Sequence, residues 1–89
     1  MVVDDSKINR EVLARAVERA GYRVIASHSG EHALELFDET EVDIVLLDVV
    51  MEGMDGLDVL QHLRARRNSL DLPILMISST KDSPQVVRA

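Results

Sequence analysis

The chain contains no cysteine and no tryptophan, and only one phenylalanine, one tyrosine and two prolines among its 89 residues. Without cysteine there can be no disulfide framework and no thiolate zinc site, a composition compatible with a reducing compartment. Long apolar runs are missing too. The best, Ile44-Val45-Leu46-Leu47, is far too short to cross a bilayer, and no basic-then-apolar leader opens the sequence. The expected location is the cytoplasm. Basic charge is scarce as well: ten Lys and Arg face sixteen Asp and Glu, for a net charge of -6. Such a surface repels phosphate backbones and anionic lipid, so this domain is expected to bind neither nucleic acid nor membrane directly.

What is present suits a folded domain. Hydrophobic residues make up 46% of the chain and charged residues 29%, which excludes a disordered tail. A chain of this length holds one domain, and it sits below the size at which α/β folds bury a comfortable core. Residues 1–89 are therefore read as one domain, C-terminally incomplete.

Two periodicities alternate along the sequence. Met1 to Val3 is a short apolar strand ending at Asp4-Asp5. Ile8, Val12, Leu13, Ala16 and Ala20 then recur at helical spacing, with Ser6 placed as N-cap and Gly21 as the stop. Tyr22 to Ala26 reads as strand, and Ala33, Leu34 and Phe37 as the stripe of a second helix. Val42 to Leu47 is nearly unbroken apolar sequence, as expected of a parallel strand covered on both faces, and Asp48 stands at its end. Leu57, Val59, Leu60 and Leu63 define a third helix, Ile74 to Ile77 a fourth strand, and Ser83-Pro84 the start of a fourth helix. The order β-α-β-α-β-α-β predicts an open, doubly wound, flavodoxin-like parallel sheet with strand order 2-1-3-4, its fifth strand and fifth helix missing.

In such a sheet ligands gather beyond the C-terminal strand ends, where the strand order reverses. Asp4 and Asp5 follow strand one and Asp48 ends strand three, so that order would bring three carboxylates together. Crowded like charges repel, and a divalent cation relieves them. Magnesium, hard and octahedral, accepts a few carboxylates with waters and a phosphate oxygen. Taken singly, Asp-Asp-Ser is an ordinary capping sequence and Asp48 an ordinary turn former. Delivered together to one edge by apolar strands, they favour a metal and phosphate site.

Val2-Val3-Asp4-Asp5-Ser6, Asp43 to Asp48, Met54-Asp55-Gly56 and Leu72-Pro73-Ile74-Leu75-Met76-Ile77-Ser78 together resemble the response-regulator receiver family, along the whole chain. The resemblance implies a phosphorelay switch of a two-component system. Asp48 would take a phosphoryl group from a histidine kinase or phosphotransfer protein. Asp5 would bind Mg2+ directly and Asp4 through water, with Asp48 and the Val50 carbonyl completing the protein ligands. Amides near Val50 and Ser79 would face the phosphoryl oxygens, and the Ser78 hydroxyl would turn inward to them. The match departs at Glu52, where the family usually has proline, and the family's later lysine and aromatic switch residue have no counterpart.

Two rivals remain. A degenerate receiver would only bind a partner. A phosphohydrolase of the haloacid dehalogenase type needs a second aspartate two residues after the nucleophile, where this chain has Val50. His28, His32 and His62 are read as surface histidines and Arg64, Arg66 and Arg67 as complements to a helix dipole; Met76 is assigned to the core, with Met51 and Met54 open. Strand four, lacking a neighbour, would be a bare sheet edge. Residues 1–89 alone are thus expected to associate as a homodimer or strand-exchanged oligomer, or to be part of a longer chain.

Overall fold

The computed structural model describes residues 1–78 and 85–89. In chain order the elements are β1 (Val2–Val3), α1 (Lys7–Arg19), β2 (Ala26–Ser27), α2 (Gly30–Glu39), β3 (Val45–Asp48), α3 (Gly56–Arg66), β4 (Ile74–Ser78) and β5 (Gln85–Arg88). They form one sheet of order β2-β1-β3-β4-β5, so the predicted order 2-1-3-4 is found. β1 lies parallel between β2 and β3, with Val3 opposite both Ser27 and Leu47. Its ladder already begins at Met1, whose nitrogen donates to the Ile44 carbonyl (2.7 Å) and whose carbonyl accepts from Leu46 N–H (2.8 Å).

Because side chains alternate across a strand, each strand serves two faces. Val3, Val45, Leu47, Ile74 and Met76 join Ala33 and Phe37 of α2 and Val59 and Leu63 of α3 in one buried cluster. Val2, Ile44 and Leu46 border instead a groove of about 490 Å3, shared with Leu13, Ala16 and Val17 of α1 and with Ala20, which caps that helix. The two layers are therefore unequal. No residue of α1 is fully buried, and Ile8 and Val12, placed by their spacing on its apolar stripe, are 74% and 61% exposed. Among the described residues α1 is the helix on this face, and it turns its Leu13-Val17 side to the sheet while Ile8 and Val12 point away.

The caps follow the local sequence. The Ser6 hydroxyl accepts from Asn9 N–H, and Gly21, at φ +96°, supplies the left-handed residue that ends α1. Asp55 and Asp58 form a reciprocal capping box at the start of α3. At its other end the arginines fasten carbonyls: Arg64 donates to Leu72 O (2.7 Å) and Arg67 to Val42 O (2.6 Å), while Arg66 grips Asp38 of α2 through two bonds (2.8 and 3.2 Å). That contact holds the Asp38 carboxyl below its usual range. Their part is thus to close turns and join α2 to α3.

The C-terminal end differs from expectation. Ser83 and Pro84, read as a helix start, lie outside the described residues, and residues 85–88 form a strand rather than a helical turn. β5 runs antiparallel to β4, from Ser78 opposite Gln85 to Leu75 opposite Arg88, and Ala89 N–H reaches Ile74 O (2.9 Å). The expected bare edge on β4 is thus covered, because its outer backbone groups need partners and β-branched Val86-Val87 suits an extended chain. The sheet is therefore mixed.

The inequality of the two layers is measurable. Leu63→Ala, which empties a side chain 1% exposed, is expected to cost about 2–4 kcal/mol in urea unfolding, whereas Ile8→Ser should stay within about 0.5 kcal/mol of the parent.

Candidate functional site

Two neighbouring parallel strands end at the same edge, β1 running into Asp4-Asp5 and β3 ending in Asp48. Each of the three side chains offers a carboxylate oxygen, and these lie within 4.8 Å of one another. Asp4 and Asp48 are almost fully buried, at 1% and 6% exposure, while Asp5 is exposed. The sheet register thus delivers all three predicted acids to one point.

Backbone amides partly satisfy them. Ser6 N–H donates to Asp4 Oδ1 (2.9 Å), Val50 N–H to Asp48 Oδ1 (3.2 Å), and Glu52 N–H to Asp5 Oδ2 (3.3 Å). The last bond needs a residue other than proline at position 52, so the family departure has a structural consequence: it ties the loop after β3 to the acid after β1. Arg10 reaches the main-chain oxygen of Asp4 (2.9 Å) rather than its carboxylate. Among the described residues the one salt bridge is Arg66–Asp38, and no basic side chain forms one with the three acids.

The loop from Val49 to Asp55 returns through a close approach at Gly56. Its N–H donates to Val49 O (3.0 Å), and a Cβ there would stand 2.1 Å from the carbonyl oxygen of Asp48 and 2.7 Å from Val49 Cα. Only a residue without a side chain fits. Met51 is buried and Met54 half-buried, the latter against Gly30 at the start of α2, so both methionines pack the loop down.

Val50 itself is 71% exposed. Ser78 follows Ile77, which sits opposite Asp48 and whose carbonyl accepts from Val49 N–H (3.1 Å). The structure thus sets Ser78 at the acidic edge, half-buried; Ser79 lies outside the described residues. His28 and His62 are exposed, as read from the sequence. His32 differs, being half-buried with its Nδ1 2.9 Å from the Ser27 hydroxyl. Gly56, the Glu52 amide and Ser27 were not singled out as part of the edge. The Met54-Asp55-Gly56 turn pointed to the first; a backbone donor leaves no mark in sequence.

Burial, foremost, pushes the Asp48 carboxyl up to about 6; the Asp4 and Asp5 charges add to this against the Val50 N–H, which lowers it. The unfolded chain loses this proton near 3.8 and the folded chain only near 6. Between those values the folded state binds more protons, so stability falls as pH rises through the window and stays lower above it. Asp48→Asn should remove that loss. In metal-free buffer at pH 7 its thermal midpoint is expected to rise by several degrees, about 1–2 kcal/mol after solvent screening, with a flatter pH profile from 4 to 7. Gly56→Ala should act oppositely, lowering stability by about 1–3 kcal/mol as the Asp48 backbone is displaced.

A sheet of this order is a flavodoxin-like α/β architecture, and the acids cluster at its topological switch point between β1 and β3. Compared with known proteins, the sequence matches the response regulator receiver domain family over residues 1–89, and the chain belongs to that family. It is 36% identical over 90 residues to the sensory/regulatory protein RpfC of Xanthomonas campestris, covering all of this chain and 12% of that protein. It is 40% identical over 79 residues to the response regulator MprA of Mycobacterium ulcerans, covering 89% of this chain and 33% of MprA. The chain thus spans a third or less of these relatives. Among solved structures, the response regulator TrrA of Thermotoga maritima, in complex with Mg2+ and BeF, superposes with a TM-score of 0.82 at 32% identity, over 90% of this chain and 68% of that one. The N-terminal domain of a receiver protein from Methanoculleus marisnigri gives 0.76 at 44% identity, over 84% and 61%.

Proposed function

We propose that Asp48 is the phosphoacceptor of a two-component phosphorelay, taking its phosphoryl group from a histidine kinase or phosphotransfer protein in a magnesium-dependent reaction. The observation that carries this reading is the convergence of three carboxylates within 4.8 Å at one sheet edge, with no salt-bridge partner among the described residues. Such a donor set fits a hard cation: two of the acids are buried, and burial, with the added charges of Asp4 and Asp5, makes Asp48 hold its proton unusually tightly. TrrA, similar in fold and sequence, was solved with Mg2+ and BeF.

Asp4, Asp5 and Asp48 would hold the ion with the Val50 carbonyl, Asp5 directly and Asp4 through water. Bound there, it would supply positive charge against both the carboxylates and the phosphoryl oxygens. An Asp48 carboxylate oxygen forms the new O–P bond while the N–P bond of the donor phosphohistidine breaks. The electron pair leaves on the imidazole nitrogen, and the carboxylate becomes an acyl phosphate. Amides near Val50 and Ser79 and the Ser78 hydroxyl would donate to the phosphoryl oxygens. We read residues 1–89 as a single receiver unit and a switch rather than an enzyme. The exposed apolar Val50 occupies the place where an aspartyl phosphohydrolase needs its general acid.

Acetyl phosphate and Mg2+ should add base-labile phosphate to the chain, and Asp48→Asn should abolish it by intact mass. Asp5→Ala is expected to weaken Mg2+ binding by roughly tenfold or more in calorimetric titration. Phosphate retained by Asp48→Asn would move the acceptor elsewhere; Mg2+ binding without any phosphate or beryllofluoride response at Asp48 and Ser78 would favour the binding-only receiver.

A further inference from the structure

The turn from β2 into α2 touches both sides of the acidic edge. On one side, the last ladder bond of β2 runs from Asp4 N–H to the Ser27 carbonyl (3.1 Å). On the other, Gly30 lies so close to Met54 that an added Cβ would stand 3.0 Å from both Cγ and Sδ of that residue, in the loop that follows Asp48. What fixes the turn is a small polar knot. Ser27, 1% exposed, places its hydroxyl 3.0 Å from the Ser29 carbonyl and 2.9 Å from His32 Nδ1. The Ser29 hydroxyl in turn caps α2 by accepting from His32 N–H (3.2 Å). The His28 ring stacks on that of His32, with centroids 4.6 Å apart and planes 12° from parallel.

The hydrogen-bond roles are determined by the acceptors. A carbonyl can only accept, so the Ser27 O–H is spent on Ser29, and His32 must donate from Nδ1 into the remaining lone pair. Neutral His32 is then the Nδ1–H tautomer, with its unprotonated Nε2 on the far edge of the ring. The stacked rings also bear on a rival use of this pair. Imidazole lone pairs lie in the ring plane, so near-parallel planes aim them side by side rather than at a shared ion, and the geometry does not suit a two-histidine metal chelate.

We infer that His32 is a positioning residue for the acidic edge: by holding Ser27 through Nδ1–H, it fixes the strand end that carries Asp4 and the loop contact beside Asp48. This inference rests on the reading of that edge as a Mg2+ site. Ligands placed by such supporting bonds lose affinity when the support is removed. His32 acts through Ser27 and a main-chain bond, so the loss should be moderate.

The test uses the full chain and Mg2+ alone. Long-range 1H–15N spectra should show neutral His32 as the Nδ1–H tautomer, and Ser27→Ala should release it to the Nε2–H form. In calorimetric titration His32→Ala should bind Mg2+ roughly 3- to 10-fold more weakly. His32→Asn, whose amide nitrogen takes the place of Nδ1, should restore affinity, while His32→Gln, whose amide reaches the place of Nε2, should not. A merely structural histidine would not separate these two amides. An Nε2–H tautomer in the parent chain, unchanged affinity in His32→Ala, or equal rescue by Asn and Gln would each overturn the inference. If His32→Ala fails to fold, the tautomer of the parent and the Asn and Gln comparison still decide. The Asp5→Ala chain separates the two levels. If it binds Mg2+ as the parent does, the metal-site reading fails and the inference with it. If it binds weakly while His32→Ala is unaffected, only the positioning role fails.

Discussion

Mutual repulsion among Asp4, Asp5 and Asp48 is the constraint around which the rest of this small domain is arranged. Free carboxylates would separate; here the parallel pairing of β1 with β3 holds them within 4.8 Å of one another. Burial of the Asp48 carboxyl, and after it the charges of Asp4 and Asp5, keeps its proton on to about pH 6. Amides of Ser6, Val50 and Glu52 temper the repulsion without neutralising it. The edge is thus held in a repulsive state of the kind a bound cation relieves.

The loop after β3 answers the same constraint from the other side. Gly56 lets the chain turn back against the Asp48 carbonyl, Met51 and Met54 seat the loop on the core, and the Glu52 amide hooks it to Asp5. A chain with proline at position 52 could not make that hook, because proline has no N–H. In this protein, then, the loop and the acid after β1 are directly connected, and a change in one is felt by the other through a single hydrogen bond.

Much of this was legible in the sequence because it depends on periodicity. The run Val42 to Leu47 announces a strand covered on both faces, and the acids at two strand ends announce their meeting once the order 2-1-3-4 is assumed. Three things were not legible, each for a physical reason. The spacing of Ile8 and Val12 says that a helix has an apolar stripe but not how much of it a neighbour covers. Gln85 to Arg88 follows a serine-proline pair that suits a helix start, yet the β4 edge takes these residues as a partner strand, in agreement with β-branched Val86-Val87. His32 spacing carried no hint of Ser27, because their bond is set by how β2 turns into α2.

The thin packing of α1 bears on how the molecule breathes. With no fully buried residue and an apolar groove beneath it, this helix has little tertiary contact to hold it and should belong to the least protected part of the structure in native-state amide exchange. The α2–α3 side, whose side chains close on Val45, Leu47 and Ile74, would exchange only on global opening. Asp4 and Asp5 stand at the seam between these two regimes, joined to the slow sheet through the main chain of Asp4 and to the fast helix through Ser6 and Arg10. Local opening of α1 would therefore loosen one wall of the acidic edge while leaving Asp48 in place.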